Sequence, residues 1–253
     1  MSFLVDRPIL FFVVTLVVLW LSAHIGAFVR RRRQPGALED NEDYSLILTS
    51  TLTLLGLLIG FSFSMAAGRY DQRKNYEEEE ANAIGTEYVR ADLLPPAEAE
   101  KVRVLLRDYL HLRILYYSRL TQEQLTQNHA DTAQSQSRLW ATITPAVNAE
   151  PTQPRALVAS GMNDVLNRQG YTQAAWLNRV PIAAWLLMAA IAVFANMLLG
   201  YRSIRRTPGM LLILPIALAI SFFLIADIDA PRSGVILVHP QNLEILADSL
   251  RSN

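Results

Sequence analysis

Between positions 45 and 67 the residues Ser45, Thr49, Thr53, Gly56, Gly60, Ser64 and Ala67 recur three or four apart. On a helix that spacing gathers small and hydroxylated side chains into one stripe. Two chemistries suit such a stripe. Small residues let helix backbones approach closely, and Gly56 with Gly60 forms a G-x-x-x-G pair. Alternatively, Thr49, Thr53, Gly56, Gly60 and Ser64 line a water-filled pore, with Phe61 or Phe63 as a narrowing apolar collar. Directly downstream come Arg69, Tyr70, Asp71, Gln72, Arg73 and Lys74, then Tyr76 and the glutamates at 77–80. Arg73 with Glu77 and Lys74 with Glu78 are helical neighbours, which fits self-paired charge on a solvated surface. The same residues, Arg69, Arg73, Glu77 and Glu80 among them, could instead form a charged vestibule that sets the local ion concentration. Four consecutive glutamates spread round a helix and cannot converge on a cation alone, so no metal site is expected.

Asp227 and Asp229 stand ahead of Pro231, Arg232 and Gly234. They either close an apolar segment and turn the chain, pairing with Arg232, or make an ion or gating contact. Asn196 and His24 are isolated polar groups in apolar surroundings, a pattern typical of interhelical hydrogen bonds. His111, His129 and His239 show no partner spacing. The sequence holds no H-E-x-x-H, phosphate-binding glycine loop or G-x-S-x-G, so no enzyme activity and no cofactor is expected. Zero cysteines remove thiol nucleophiles and disulfides, and equal numbers of acidic and basic residues give no field to draw nucleic acid.

The elements that must position these residues are apolar helices. With 51% hydrophobic residues and 18% charged ones, the chain is more apolar than a water-soluble globule requires. Four stretches are long enough to cross a bilayer: about 8–29, 46–67, 180–200 and 210–226. The first lacks a signal-peptide pattern, because only Arg7 precedes its long apolar run and four arginines at 30–33 follow. Pro35, Gly36 and the acidic residues Glu39, Asp40, Glu42 and Asp43 mark a turn into the second, so that spans one and two form a hairpin. Pro215 in the fourth is tolerable only where neighbouring helices cover the freed carbonyl.

The expected organisation is therefore a transmembrane hairpin over 1–67, an extramembrane domain over 68–179, a second hairpin over 180–226 and a tail over 227–253. The fold class is an all-α membrane protein with four transmembrane helices and a helical extramembrane domain continuous with the second span. Nothing breaks the helix between 46 and Leu94, which predicts one rod of roughly 70 Å at about 1.5 Å per residue. Pro95 and Pro96 stop it. A second helix from about Ala97 carries Val102, Leu105, Tyr109, Leu112, Tyr116 and Leu120 as an apolar stripe, facing Ala81, Ile84, Tyr88 and Ala91 in an antiparallel pair. The polar, proline-bearing region 127–154 reads as a short helix and a loop, with a last helix from 155 to 178. Arginine and lysine counting for orientation ties: seven flank the two short loops (30–33, 202, 205 and 206) and seven the opposite ends (7, 69, 73, 74, 168, 179 and 232). The run at 30–33 leans toward short loops inside.

Several of these residues carry a family resemblance. The segment from Gly60 to Ser64 running into Arg69 to Arg73, then Glu80 to Thr86, resembles the bestrophin-like family of bacterial membrane proteins. So do Met162 to Asp164, Asn178 to Pro181, Gly200 with Tyr201, and Asp227 to Gly234. A span ending in Arg-Tyr-Asp-x-Arg is also similar to the pore helix of bestrophin anion channels, and Ile228 to Pro231 resembles the turn after their last span. That likeness implies a homo-oligomeric ring in a lipid bilayer, a pentamer in the bacterial inner membrane, with span two lining the pore and inorganic anions such as chloride permeating. It also implies that the helical domain and both termini lie in the cytosol, against the arginine lean. The acidic stretch 77–80 departs from the aromatic-rich segment of those channels and argues against simple anion attraction. The competing expectation is a non-conducting membrane scaffold or sensor whose helical domain binds a partner.

Overall fold

Each long apolar segment forms an α-helix that closes most of its backbone hydrogen bonds internally, as it must where no water can reach them. The computed structural model describes residues 7–32, 41–202 and 209–251. The expected turn at Pro35 and Gly36, the acidic residues Glu39 and Asp40, and Arg33, Arg205 and Arg206 lie outside the described residues. The helices are α1 (Pro8–Arg32), α2 (Asn41–Arg90), α3 (Pro96–Tyr116), α4 (Gln122–Ala149), α5 (Gln153–Leu177), α6 (Ile182–Arg202), α7 (Met210–Asp229) and α8 (Gln241–Arg251), with a single 3₁₀ turn, Ala91–Leu93, after α2. No strand occurs among the described residues. Among the described residues four helices are long and apolar enough to cross a membrane, and the fold is that of an all-α membrane protein. The chain divides into two compact units, residues 1–70 with 179–237, and residues 71–178 with 238–253.

In the first unit α1 packs against α6 and α7. Its closest approach is set by two glycines: a Cβ on Gly26 would stand 1.9 Å from the Met197 carbonyl oxygen, and one on Gly200 would stand 1.8 Å from that of Ala23. Backbone cannot yield as a side-chain tip can, so α1 and α6 touch only because neither position bears a side chain. Leu19, Leu55, Ala66, Trp185, Met188 and Phe222 form part of the buried core. Trp185 makes edge-to-face contacts with Phe11 and Phe222, at centroid distances of 5.3 and 6.3 Å, the arrangement that aromatic quadrupoles favour. Asn196 and His24 do not bridge helices. Asn196 donates to the Ala192 carbonyl one turn earlier, and His24 lies within hydrogen-bond distance of the Trp20 carbonyl on its own helix.

In the second unit the end of α2 pairs with α3 in antiparallel register. Asp92 meets Arg103, Tyr88 accepts from Arg107 at 2.8 Å, and Glu80 meets Arg113. The buried stripe of α3 is Val102, Leu106, Tyr109, Leu110, Arg113 and Tyr116. Leu105 and Leu112 are half-buried, so the stripe sits one residue round from the expected one. The larger correction concerns 127–154. In place of a short helix and a loop, α4 runs for 28 residues. Thr121 and Gln124 close a reciprocal capping box at its start, which satisfies two amides the helix would otherwise leave open. Pro145 falls in the penultimate turn, where few hydrogen bonds follow it. The buried face reads Asn128, Thr132, Ser135, Leu139, Ile143 and Ala146, half of it polar. That composition hid the helical period.

Candidate functional site: the exposed stripe of α2 and its flanking charges

The first part of α2 buries only Leu48, Leu55, Ser62 and Ala66 among its transmembrane positions. Thr49, Thr53, Gly56, Gly60, Phe61, Phe63 and Ser64 are all exposed. A Cβ added to Gly56 or to Gly60 would meet nothing within 4 Å. Close packing through this G-x-x-x-G pair therefore does not occur within the chain; the glycines that bring helices together are Gly26 and Gly200. At 100° per residue, Phe63 falls on the same stripe as Thr49, Thr53, Gly56 and Gly60, whereas Phe61 lies about a third of a turn round. Phe61 shares its flank with the exposed Leu54 and Leu57. The Thr53 hydroxyl donates to the Thr49 carbonyl at 2.9 Å, and that of Thr51 to Ile47 at 2.7 Å. Such back-bonding uses the hydroxyl proton and leaves oxygen lone pairs on the exposed face.

Asp229 ends α7 fully buried, and both of its carboxylate oxygens accept from the Val180 amide, at 3.0 and 3.1 Å. Arg69 approaches the same carboxylate at 3.5 Å. Asp227, equally buried, accepts from the amides of Val235 and Ile236 at 2.7 and 2.8 Å. The two carboxylates thus organise the chain on either side of Pro231, which is buried with them. Gly234 passes so close to Asp227 that a Cβ would lie 2.4 Å from its carbonyl oxygen. A charged hydrogen bond from a carboxylate to backbone amides is among the stronger kinds, so this turn is rigidly specified.

Part of the charge after the span turns inward, while Asp71, Lys74 and Glu78 stay on the exposed surface. Arg73, Glu77, Glu80 and Glu87 are each at most 1% exposed, whereas Glu78 faces outward. Glu77 accepts from the Asn242 side chain at 2.6 Å and the Leu243 amide at 2.9 Å, which places an anion at the start of α8. Burial raises the Glu77 pKa, partly offset by those hydrogen bonds. Glu80 is gripped by the Arg113 guanidinium and accepts from the Thr172 hydroxyl at 3.0 Å. Burial alone would lower the Arg113 pKa, but the charge and hydrogen bond of Glu80 together with Tyr109 and Tyr117 outweigh it and raise it. Glu79 pairs with Arg168 beside a polar recess of about 360 Å³ that also involves Tyr76, Asp164, Asn167 and Tyr171. Residue type alone does not distinguish the inward glutamates from Glu78. Their common face with Ala81, Ile84 and Ala91 was the available signal. Arg113, Thr172 and Gly161, on which Glu87 rests, were missed because they lie in separate helices.

Four apolar helices, one of them continuing into a polar helical unit, define a multispan all-α membrane protein. The chain belongs to the bestrophin-like family: the family model for the bestrophin-like domain matches residues 9–243. Its fold is similar to that of solved relatives at low identity. A point variant of a bacterial bestrophin homologue from Klebsiella pneumoniae superposes with a TM-score of 0.67 at 15% identity, covering 95% of this chain and 94% of that one. The homologue solved by zinc phasing gives 0.65 at 14% identity over 94% and 95%. A point variant described only as a membrane protein gives 0.69 at 14% over 95% and 97%. No curated protein matches the chain.

Proposed function

We propose that this protein is an oligomeric ion channel of the bacterial inner membrane, with α2 lining the pore and anions as the permeant class. The observation that carries the reading is the stripe formed by Thr49, Thr53, Gly56, Gly60, Phe63 and Ser64. It is exposed along its length, and among the described residues no other helix lies against its glycines. A lipid-facing helix gains nothing from a row of hydroxyls and glycines, whereas a pore wall does: hydroxyl oxygens and close backbone accommodate a partly hydrated ion. A closed ring of identical subunits gives each stripe a shared aqueous axis.

The acidity at 77–80 is partly answered within the chain: Glu80 is buried against Arg113, Glu79 pairs with Arg168, and Glu77 is buried and accepts from Asn242 and an α8 amide, which leaves Glu78 as the exposed carboxylate. Phe63, on the stripe, is the apolar collar in this reading, and Phe61 belongs to an adjacent face. The superposition on bestrophin homologues supports the shared fold, and the family supports the channel class. The deciding experiment is chloride efflux from liposomes containing the purified oligomer. Efflux that rises or falls at least several-fold with Phe63→Ala and Thr53→Val, and much less with Phe61→Ala, fits the assignment. No efflux from folded oligomer, or a stable monomer with the stripe in lipid, rejects the channel and favours the scaffold.

A further inference from the structure

A groove of about 590 Å³ lies between α1, α2 and α6, walled by Ile47, Leu54, Ile191, Phe194 and Leu198. Its walls are apolar, yet one end is cationic and aromatic. There Tyr44 and Tyr201 sit ring to ring at 5.2 Å, and the Arg30 guanidinium lies 5.1 Å from the Tyr201 ring centre. Arg202 donates to the Ser45 hydroxyl at 2.7 Å. These residues stand where α1 ends, α2 begins and α6 ends, so the cationic end marks one edge of the membrane-spanning segments. Tyrosines and arginines at that level match the interfacial belt of a bilayer. From Tyr44 to Leu54 the groove follows α2 for ten residues, about 15 Å, or half of a ~30 Å hydrocarbon layer. Ile47, Thr51 and Leu54 fall almost half a turn from Thr49 and Thr53, so the groove and the hydroxyl stripe occupy different faces.

We propose that this groove binds one phospholipid with an anionic headgroup, its acyl chain along the α2–α6 wall and its phosphate at Arg30 and Arg202. An occupant must be apolar for half a bilayer and negative at one end only. A phospholipid in its own leaflet meets both conditions, and the guanidiniums of Arg30 and Arg202 favour a headgroup of net negative charge over one that also carries a cation. The helix of a second copy would fill the apolar wall but need bring no negative charge to Arg30 and Arg202. The proposal does not depend on ion conduction.

The test is native mass spectrometry of the detergent-purified protein titrated with dioleoylphosphatidylglycerol and with dioleoylphosphatidylcholine. The glycerol lipid is expected to bind one per protomer, about tenfold tighter than the choline lipid. Arg30→Ala with Arg202→Ala should erase that preference, Arg30→Lys with Arg202→Lys should retain most of it, and Leu54→Trp should weaken both lipids. Arg202→Gln alone, which leaves α1 untouched, reads the same loss if the double variant misfolds. Arg7→Ala, at the other end of α1, should change nothing. Equal affinities, or a preference indifferent to Arg202, overturns the proposal. The chain has no cysteine, so Phe194→Cys supplies a single thiol; its oxidation to cross-linked protomers in the membrane would place a second copy in the groove and equally overturn it.

Discussion

The carboxyl of Glu87 occupies the space that a side chain on Gly161 would need: a Cβ there would stand 2.0 Å from Glu87 Oε2. Glu87 is fully buried, and its carboxyl oxygens have no hydrogen-bond partner among the described residues. Burial pushes its pKa up to about 8, with Arg90 lowering it and Asp164 raising it. The group is therefore held mostly as the neutral acid at neutral pH, and α5 can lie close to it because residue 161 has no side chain.

A raised folded-state pKa means that the folded protein holds a proton the unfolded chain has released. Stability from Glu87 is then complete below the usual carboxylate range and is lost as pH rises toward 8. Thermal unfolding monitored by circular dichroism should show stability falling across pH 5 to 8, by up to about 1.4 kcal/mol per pH unit from this group. Glu87→Gln, neutral at every pH, should flatten that slope. A slope unchanged by the substitution would remove Glu87 as its source.

Gly161→Ala should cost about 1–3 kcal/mol, the usual penalty for overpacking a filled site. The clash is with two side-chain tips, Glu87 Oε2 at 2.0 Å and Arg90 Nη1 at 2.4 Å, of which the Glu87 carboxyl is fully buried. Gly161→Ala with Glu87→Ala should recover most of the loss in the same unfolding assay.

The Glu80–Arg113 pair is buried on both sides. Arg113→Ala strands a carboxylate in the interior and should cost about 3–5 kcal/mol, whereas replacing both by apolar residues of similar volume should cost far less. A double-mutant cycle with Glu80→Leu and Arg113→Met checks this. Thr172→Val removes one further hydrogen bond to Glu80 and should cost about 1 kcal/mol.

Gly26→Ala and Gly200→Ala should each destabilise the α1–α6 contact severely, because the opposing atoms are backbone. Gly56→Ala and Gly60→Ala should leave protomer folding within about 0.5 kcal/mol of the parent, since open space surrounds both. Size in detergent, read beside thermal stability, separates the two pairs: any effect of the second pair falls on assembly or on flux.

Asp229→Asn keeps the shape of the carboxylate but loses its charge and one acceptor for the Val180 amide. A cost of about 1–3 kcal/mol is expected, as for other charged hydrogen bonds, with Asp229→Ala worse. Asp227→Ala should loosen residues 235 and 236, visible as faster hydrogen exchange of those two amides.

The membrane-spanning segments were legible in the sequence because the requirement is local. About twenty consecutive apolar residues must be solvated by lipid whatever the rest of the chain does. The long helix after span two, the double-proline stop and the antiparallel pairing of α2 with α3 were legible for the same reason, since helical period and breakers act within a turn or two. The family resemblance rested on such local segments as well. What only the tertiary structure decided is which of several equivalent side chains turn inward. Glu80 and Glu78 are chemically identical, and Glu80 is buried only because Arg113 and Thr172, 33 and 92 positions away, complete its hydrogen bonds. The helix over 122–149 escaped notice because Asn128, Thr132 and Ser135 look solvated until α3 covers them; Leu112 supplies the carbonyl that Asn128 needs. Likewise Gly56 and Gly60 carry the packing motif, but Gly26 and Gly200 do the packing. Close approach is a property of two surfaces together, and one strand of sequence describes only half of each.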